Sequence, residues 1–411
     1  MGKILLKGGC VLSLDRKVGN FHVADVLMEG DRLIEVGPDL RARGAEVIDA
    51  ADTIVMPGFV DAHRHLSESI FRGTGDVVTP PVSSYSAEDM TAATLVGLLG
   101  AAEAGITTVV DWCESPDRAH THAALEAHSE VGLRTVMVQA GVDAGDWAGT
   151  DGPATGLTTF AAGPGQPDEW RKARELGLHI HTHAGTGTDQ EGMAVLAPLL
   201  AGDVSLVHCS DFDDAALDAV ASNGASVVLT PSSEMARGIE PLQVQMLVDR
   251  GIRPGLGVDT ERMSPGDLFA QMRAAISLQH ATLFDLKLAG KAGIPKLLTT
   301  REVIRYATVD GARALGLGEV TGSLTPGKQA DVVVLRADRP NIYPINDPIG
   351  AVVWGMDTSN VDWVFVAGEA VKRQGELVAD VGHAGAMALA ARTRLETAPG
   401  ALAGVASGDM G

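Results

Sequence analysis

The chain has 411 residues, of which 45% are hydrophobic and 21% are charged, and its formal net charge is −21. A chain of this length can bury a large core, and α/β barrels with an accessory domain often have this size. The acidic charge and the absence of a Lys/Arg cluster argue against nucleic acid and anionic membranes as partners, because both bind basic surfaces. We therefore expect a small molecule as the binding partner.

The amino terminus, MGKILLKGGCVLSLD, lacks the long apolar run and the small-residue cleavage site of a signal peptide. No later apolar run has the length that a transmembrane helix needs. Three scattered cysteines, Cys10, Cys113 and Cys209, indicate neither a disulfide framework nor a Cys-x-x-Cys metal site. The sequence predicts a cytoplasmic protein, and we expect it to form a homo-oligomer.

Short strand patterns occupy both ends of the chain. Residues 1–55 alternate strand-like runs with turns, as in ADVLMEGDRLIEVG, and residues 325–380 return to the same style. We predict that these two segments build one small composite β-sandwich domain. Residues 381–411 are predicted to form a C-terminal helix and tail.

Between these ends, residues 56–324 repeat strand-like apolar runs, with helical patterns between several of them. The eight runs are IVMPGFVDAHRH, GITTVVDW, GLRTVMVQA, GLTTFAAGP, LHIHTHAG, VSLVHCSDF, ASVVLTPSS and IRPGLGVDT. Repeated strand and helix units predict a parallel sheet, and eight of them predict a closed (β/α)₈ barrel of the TIM type. Active sites of such barrels lie at the carboxyl ends of the strands.

Residues that commonly bind metals end several of these predicted strands. Those on strands one, five, six and eight are His63, His65, His183, His208 and Asp259. Because side chains alternate along a strand, His63 and His65 can both point into the barrel mouth while Arg64 points away. Three imidazoles and a carboxylate suit one Zn²⁺ ion, with Fe²⁺ as the alternative. His181 lies on the same face as His183 and is an alternative ligand.

Several motifs together resemble those of the amidohydrolase superfamily. They are PGFVDAHRH on strand one, HIHTHAG on strand five, LVHCS on strand six, TPSS on strand seven, LGVD on strand eight, and ATVDGARALGLGEVTGSLTPGKQADVVVL after the barrel. The last segment is similar to the connection from barrel to sheet in cytosine deaminase, triazine chlorohydrolases and adenosylhomocysteine deaminases. The resemblance covers nearly the whole chain.

The resemblance implies a metal-dependent hydrolase in which a metal-activated water cleaves a C–N or comparable bond, not a peptide bond, of a small heterocyclic substrate, as in a deaminase. It also implies that one divalent metal ion is held by four ligands: His63, His65, His183 and Asp259. By the same similarity, Asp259 accepts a proton from the water and His208 stabilises the adduct. Strand four, GLTTFAAGP, has no lysine that could bridge a second metal.

The sequence departs from these relatives after strand five. The deaminases of the group have a glutamate three residues after the strand-five histidine, where this chain has Thr186, which cannot transfer protons near neutral pH. Glu234 is a candidate to supply the missing catalytic carboxylate, and a salt bridge with Arg237 is the structural alternative. Residues after other strands are candidate substrate contacts, together with this threonine: Trp112, Thr186, Arg72 and Glu261.

Two other functions remain open. One is hydrolysis of an amide, carbamate, lactam or carbon–halogen bond on the same scaffold. The other is a non-catalytic barrel that binds a ligand. Metal content distinguishes the non-catalytic barrel from an enzyme, and a screen for released ammonia distinguishes the two kinds of hydrolase.

Overall fold

The structure, a computed structural model, describes residues 2–75, 77, 79–115, 117–140, 156–185, 195–238 and 244–397. Within these ranges the strands form one sheet of nine strands and one sheet of eight. In chain order the strands are β1 (Lys3–Leu12), β2 (Asn20–Glu29), β3 (Arg32–Gly37), β4 (Glu46–Asp49), β5 (Thr53–Pro57), β6 (Phe59–Arg64), β7 (Ile106–Cys113), β8 (Arg134–Ala140), β9 (Thr158–Gly163), β10 (His179–Ala184), β11 (Val204–His208), β12 (Ser226–Leu229), β13 (Gly255–Leu256), β14 (Val332–Arg336), β15 (Val361–Val366), β16 (Glu369–Arg373) and β17 (Glu376–Leu377).

The longer helices lie mainly between the strands of the eight-stranded sheet. Within the described ranges they are α1 (Ala87–Glu103), α2 (Arg118–Val131), α3 (Pro167–Glu175), α4 (Asp214–Asn223), α5 (Pro231–Ala236), α6 (Val244–Asp249), α7 (Leu268–Leu288), α8 (Thr300–Tyr306), α9 (Val309–Ala314) and α10 (Val381–Thr397). Local capping explains several of their starts. For example, α1 begins after Ser86, whose hydroxyl accepts from the Asp89 amide while the Asp89 carboxylate accepts from the Ser86 amide.

Both ends of the chain contribute to the nine-stranded sheet. Its order is β17-β16-β15-β14-β5-β1-β2-β3, and β4 pairs with β1. The two ends meet where β5 pairs antiparallel with β14, with Val55 opposite Val334. A buried cluster that includes Leu6, Val26 and Phe365 forms the core of this sheet. The predicted composite β domain is confirmed, while its bounds at residues 55, 325 and 380 stay a prediction.

The eight-stranded sheet is the predicted barrel. Strands β6 to β13 follow one another in order and each pairs parallel with the next. Every residue of β6 and β7 is buried, as expected for parallel strands that are covered on both faces. The barrel closes between its first and last strands through a parallel bridge from Arg64 to Asp259. The (β/α)₈ prediction is confirmed, and three of the predicted metal ligands, His63, His65 and Asp259, lie at its closing seam.

The C-terminal helix α10 packs against α1. Arg394 forms an ion pair with the buried Asp89 of α1, and Leu395 packs in one cluster with Ile70 and Phe71, which follow the first barrel strand. Residues 398–411, the predicted tail, lie outside the described residues. Within the described ranges, no helix combines the length and the apolar character that crossing a bilayer requires. The cellular location and the oligomeric state stay predictions.

Candidate metal centre

Four side chains converge at the carboxyl ends of the barrel strands. They are His63, His183, His208 and Asp259, and one nitrogen or oxygen atom of each lies within 4.8 Å of those of the others. We call these four side chains the metal cluster. His65 lies at its edge, with its Nε2 atom 3.4 Å from Asp259 Oδ1. His181 lies behind the cluster, because its Nε2 atom is 3.2 Å from His63 Nδ1. The structure therefore brings together all five strand-end residues that the sequence indicates.

Two polar atoms in the metal cluster lack the hydrogen bonds that burial normally demands. Among the described residues, His208 Nε2 and Asp259 Oδ1 have no hydrogen-bond partner, although both residues are 1% exposed. His183 Nε2 and His63 Nε2 are 3.0 Å apart. Leaving buried polar atoms unpaired is costly, and a divalent cation would satisfy several of them at once. A set of imidazoles and one carboxylate is chemically suited to such an ion.

The surroundings favour the protonation states that metal binding needs. Burial lowers the pKa of His63 to about 4, although the neighbouring Asp259 carboxylate opposes this change. Burial, followed by the positive charges of neighbouring histidines, also lowers the pKa of His183. Burial raises the pKa of Asp259, but the neighbouring imidazoles of His63, His65 and His208 outweigh it and hold this pKa well below its ordinary value. Neutral imidazoles beside an ionised carboxylate are competent metal ligands.

Comparison with known proteins identifies the family. A model of the amidohydrolase family matches residues 54–371. The chain belongs to the amidohydrolase family. The family assignment and the deaminase-named relatives described next identify it as a hydrolase of carbon–nitrogen bonds other than peptide bonds. The resemblance that the motifs indicated is thus confirmed.

Two relatives align with most of this amidohydrolase. The 5-methylthioadenosine/S-adenosylhomocysteine deaminase of Pelotomaculum thermopropionicum is 29% identical over 91% of this chain and 94% of that protein. The 5'-deoxyadenosine deaminase of Methanothermobacter thermautotrophicus is 29% identical, with the same coverage of 91% and 94%.

Two solved structures share the fold. An adenosine deaminase of Xanthomonas campestris with bound zinc has a TM-score of 0.82 at 21% identity, and 97% of this chain and 99% of that chain are covered. Atrazine chlorohydrolase of Arthrobacter aurescens, complexed with zinc, has a TM-score of 0.82 at 21% identity, with 95% and 100% covered. Both likenesses support the barrel with a β-sandwich domain.

Glu234 lies behind His208 in this amidohydrolase. Its Oε1 atom is 3.0 Å from His208 Nδ1 and accepts from the Thr230 amide at 3.0 Å, and the Thr230 hydroxyl also lies 3.1 Å from His208 Nδ1. Glu234 is 1% exposed. The alternative pairing with Arg237 is not what the structure has, because Arg237 Nη1 lies 3.4 Å from Asp259 Oδ2. Glu234 therefore orients the His208 ring, and proton transfer in the cavity would require it to leave these contacts.

The backbone at the cluster has an unusual conformation. His208, Cys209 and Asp259 have φ angles of 71°, 55° and 65°, in the left-handed region that residues other than glycine rarely adopt. Each such residue costs about 1–3 kcal/mol and persists only where its surroundings hold it in place. The Cys209 amide donates to the Ala184 carbonyl at 2.8 Å, which ties this turn to the end of β10. The two strand ends thus hold His183 and His208 side by side.

A cavity of about 420 Å³ opens above the metal cluster. Besides members of the cluster and His65, it is lined by Glu68, Glu114, Arg237, Thr260, Arg262 and Met263. A volume in this range suits a small organic ligand. Sequence reasoning did not assign Glu68, Thr260, Arg262 or Met263 to the site. Their position shortly after strands one and eight was the available signal, but loop conformation is poorly encoded in a single sequence.

The predicted substrate contacts that the structure describes do not line the cavity. Trp112 is 7% exposed and packs edge-on against His183, with ring centroids 4.3 Å apart, so it supports the cluster from the side. Arg72 and Glu261 pair with each other, with Arg72 Nε 2.8 Å from Glu261 Oε1. None of these three is among the described residues that line the cavity, because their polar groups are already engaged or covered. Thr186 lies outside the described residues.

Proposed function

We propose that this amidohydrolase holds one divalent metal ion, Zn²⁺, through His63, His65, His183 and Asp259 and removes an amino group from a small nitrogen heterocycle. The observation that carries the proposal is the convergence of the His63 and His183 imidazoles with the buried Asp259 carboxylate, whose Oδ1 atom lies 3.5 and 3.4 Å from His63 Nε2 and His65 Nε2. The deaminase names of its relatives support ammonia as the leaving group.

The bound ion would supply a nucleophile near neutral pH by lowering the pKa of water. Asp259 contributes an ionised carboxylate whose Oδ2 atom accepts from the Ser233 hydroxyl, which leaves Oδ1 directed at the imidazoles. This carboxylate can take a proton from the attacking water. His208, when protonated and paired with Glu234, can donate from Nε2 to the negative charge that develops on the substrate.

The cavity restricts the substrate. Its volume of about 420 Å³ and its mixture of arginine and glutamate side chains favour a compact polar molecule. Among the described residues, the carboxylates that line it are Glu68, Glu114 and Asp259. Glu234 is assigned to positioning His208, and it is therefore not our candidate for protonating the leaving group.

Elemental analysis and an ammonia screen test the proposal. The zinc-loaded protein is incubated with aminopurine nucleosides, aminopyrimidines, aminotriazines and chlorotriazines, and released ammonia and chloride are both measured. We expect one metal ion per chain and ammonia from at least one amino-heterocycle. A His63→Ala protein should lose both, whereas the control His280→Asn, at a histidine that contacts the Leu298 carbonyl, should keep both.

Three results would contradict the proposal. They are two metal ions per chain, full metal occupancy in the His63→Ala protein, and release of chloride without ammonia. The last result would assign carbon–halogen hydrolysis to the same site.

A further inference from the structure

Arg64, the residue between His63 and His65, is fully buried at the seam where the barrel closes. Its Nη1 atom donates to Asp61 Oδ2 at 3.0 Å, and its Nη2 atom lies 3.0 Å from Glu261 Oε1. Asp61 precedes His63 by two residues, and Glu261 follows Asp259 by two residues. One guanidinium group therefore connects a carboxylate of the first barrel strand to one in the segment that follows the last strand.

Both carboxylates are themselves held in place. Asp61 Oδ1 accepts from the Val258 amide at 3.0 Å, so Asp61 also spans the seam. Glu261 contacts Arg72 and accepts from the Ser69 hydroxyl. The group contains two carboxylates and two guanidinium ions, so its charges balance inside the protein. A buried ion group of this kind requires accurate geometry, because each charge depends on its partners.

Two positions at the seam require glycine, because any side chain there would collide with neighbouring atoms. A Cβ atom at Gly257 would lie 2.7 Å from the His63 carbonyl oxygen and 2.8 Å from its amide nitrogen. A Cβ atom at Gly266 would overlap Glu261 Oε1 and approach Arg64 Nη2 to 3.0 Å. The two strands therefore touch backbone to backbone, with the Asp259 amide donating to the His63 carbonyl at 2.9 Å and the His65 amide donating to the Asp259 carbonyl at 2.8 Å.

We propose that Arg64 is a positioning residue for the metal site: its guanidinium, held between Asp61 and Glu261, sets the spacing of the first and last strands and thereby aligns His63, His65 and Asp259. This inference rests on the proposed function, because the effect expected of Arg64 is on metal binding. The seam itself, however, belongs to the metal-free chain and can be measured without metal. Ligand distances must be correct within a few tenths of an ångström, so a small opening of the seam weakens binding.

The chain provides a matched control. Arg134 is another buried barrel arginine, and its Nε and Nη2 atoms contact Asp331 at 2.8 and 3.0 Å, at the end of β8 that faces the nine-stranded sheet. Lysine retains the charge of arginine at either position but presents a single ammonium group, which cannot reproduce the planar fork. A general loss of stability should follow both substitutions, whereas a loss of alignment should follow only Arg64→Lys.

The experiment compares the parent, Arg64→Lys and Arg134→Lys. Hydrogen exchange of the metal-free proteins is measured for peptides that contain His65 and Asp259, and Zn²⁺ affinity is measured by competition with a chromophoric chelator. We expect Arg64→Lys to exchange faster in both peptides and to bind Zn²⁺ about 10- to 100-fold more weakly, the range typical of lost support behind a ligand. Arg134→Lys should leave Zn²⁺ affinity at the parental value and should not accelerate exchange in these two peptides more than in peptides from the rest of the barrel.

A second variant, Glu261→Gln, removes the opposite charge and should change both quantities in the same direction as Arg64→Lys. Parental exchange and affinity in Arg64→Lys, or equal changes in Arg134→Lys, would overturn the proposal. If the parent binds no Zn²⁺, the proposed function fails, and hydrogen exchange alone decides on Arg64: faster exchange in Arg64→Lys supports its role at the seam, and unchanged exchange rejects it.

Discussion

At the residue scale, the metal cluster depends on side chains that lie behind it. Glu234 and Thr230 contact the far nitrogen of His208, and His181 contacts the far nitrogen of His63. A hydrogen bond at one ring nitrogen determines which nitrogen carries the proton and in which direction the other points. These neighbours therefore control how the cluster presents its nitrogen atoms to the cavity.

Replacement of Glu234 by glutamine tests this control. The amide nearly preserves the shape and can still accept from the Thr230 amide, but it removes the negative charge that lies beside His208 Nδ1. We expect kcat to fall about 10- to 100-fold, with KM and metal content unchanged. Steady-state kinetics and elemental analysis of Glu234→Gln measure this, with Glu126→Gln on the exposed face of α2 as the control.

A change in the pH–rate profile would instead assign proton transfer to Glu234. In that case Glu234→Gln would also lose one limb of the pH–rate profile, because an amide cannot donate an acidic proton. A variant that equals the parent in kcat would show that His208 needs no support from this carboxylate.

At the scale of elements, the turns that follow strands β10 and β11 shape the site. Gly185 directly follows β10 and has a φ angle of 76°, and a Cβ atom there would lie 2.7 Å from Cys209 C and Ser210 N. The adjacent His208 and Cys209 already have left-handed backbone conformations. A side chain at position 185 would therefore displace the turn that holds His208.

Gly185→Ala should destabilise the protein by about 2 kcal/mol or more, because backbone strain and a steric clash act together. Gly224→Ala is the matched control. Gly224 also has a positive φ angle, 72°, at the end of α4, but no atom lies within 4 Å of its added Cβ, so strain alone should cost about 1 kcal/mol. Urea unfolding of both variants measures the difference, and equal losses would refute the predicted clash.

At the scale of the whole molecule, one buried ion pair connects the barrel to the nine-stranded sheet. Arg134 begins β8 of the barrel, and Asp331 precedes β14 of the sheet, with its Oδ1 atom also accepting from the Ala367 amide at 2.8 Å. The side chain of Asp331 is 0% exposed. The pair therefore couples the orientation of the barrel to that of the sheet formed by both chain ends.

Arg134→Met should destabilise the protein by about 3–5 kcal/mol, because it leaves the buried Asp331 charge without its partner. Arg171→Met is the control, since the pair of Arg171 with Asp168 lies on the surface and should not shift the unfolding midpoint measurably. Thermal and urea unfolding measure both variants. An unchanged midpoint in Arg134→Met would show that this contact does not secure the two sheets.

The sequence alone determined the architecture and the residues that meet at the barrel mouth. Eight apolar runs with helical segments between them specify a parallel barrel, because strand and helix periodicities are local properties of the chain. The histidines and Asp259 end those runs, and the carboxyl ends of parallel strands necessarily share one face. For that reason the sequence alone groups five residues that the structure brings together: His63, His65, His183, His208 and Asp259.

Only the tertiary structure decided which partners the remaining polar side chains have. Glu234 contacts His208, Glu261 contacts Arg64 and Arg72 instead of lining the cavity, and Glu68 and Arg262 line it without having been predicted. These pairings join residues that are distant along the chain or lie in loops, where no periodicity constrains the backbone. A charged side chain takes whichever partner burial leaves within reach, and burial is set by the packing of the whole molecule.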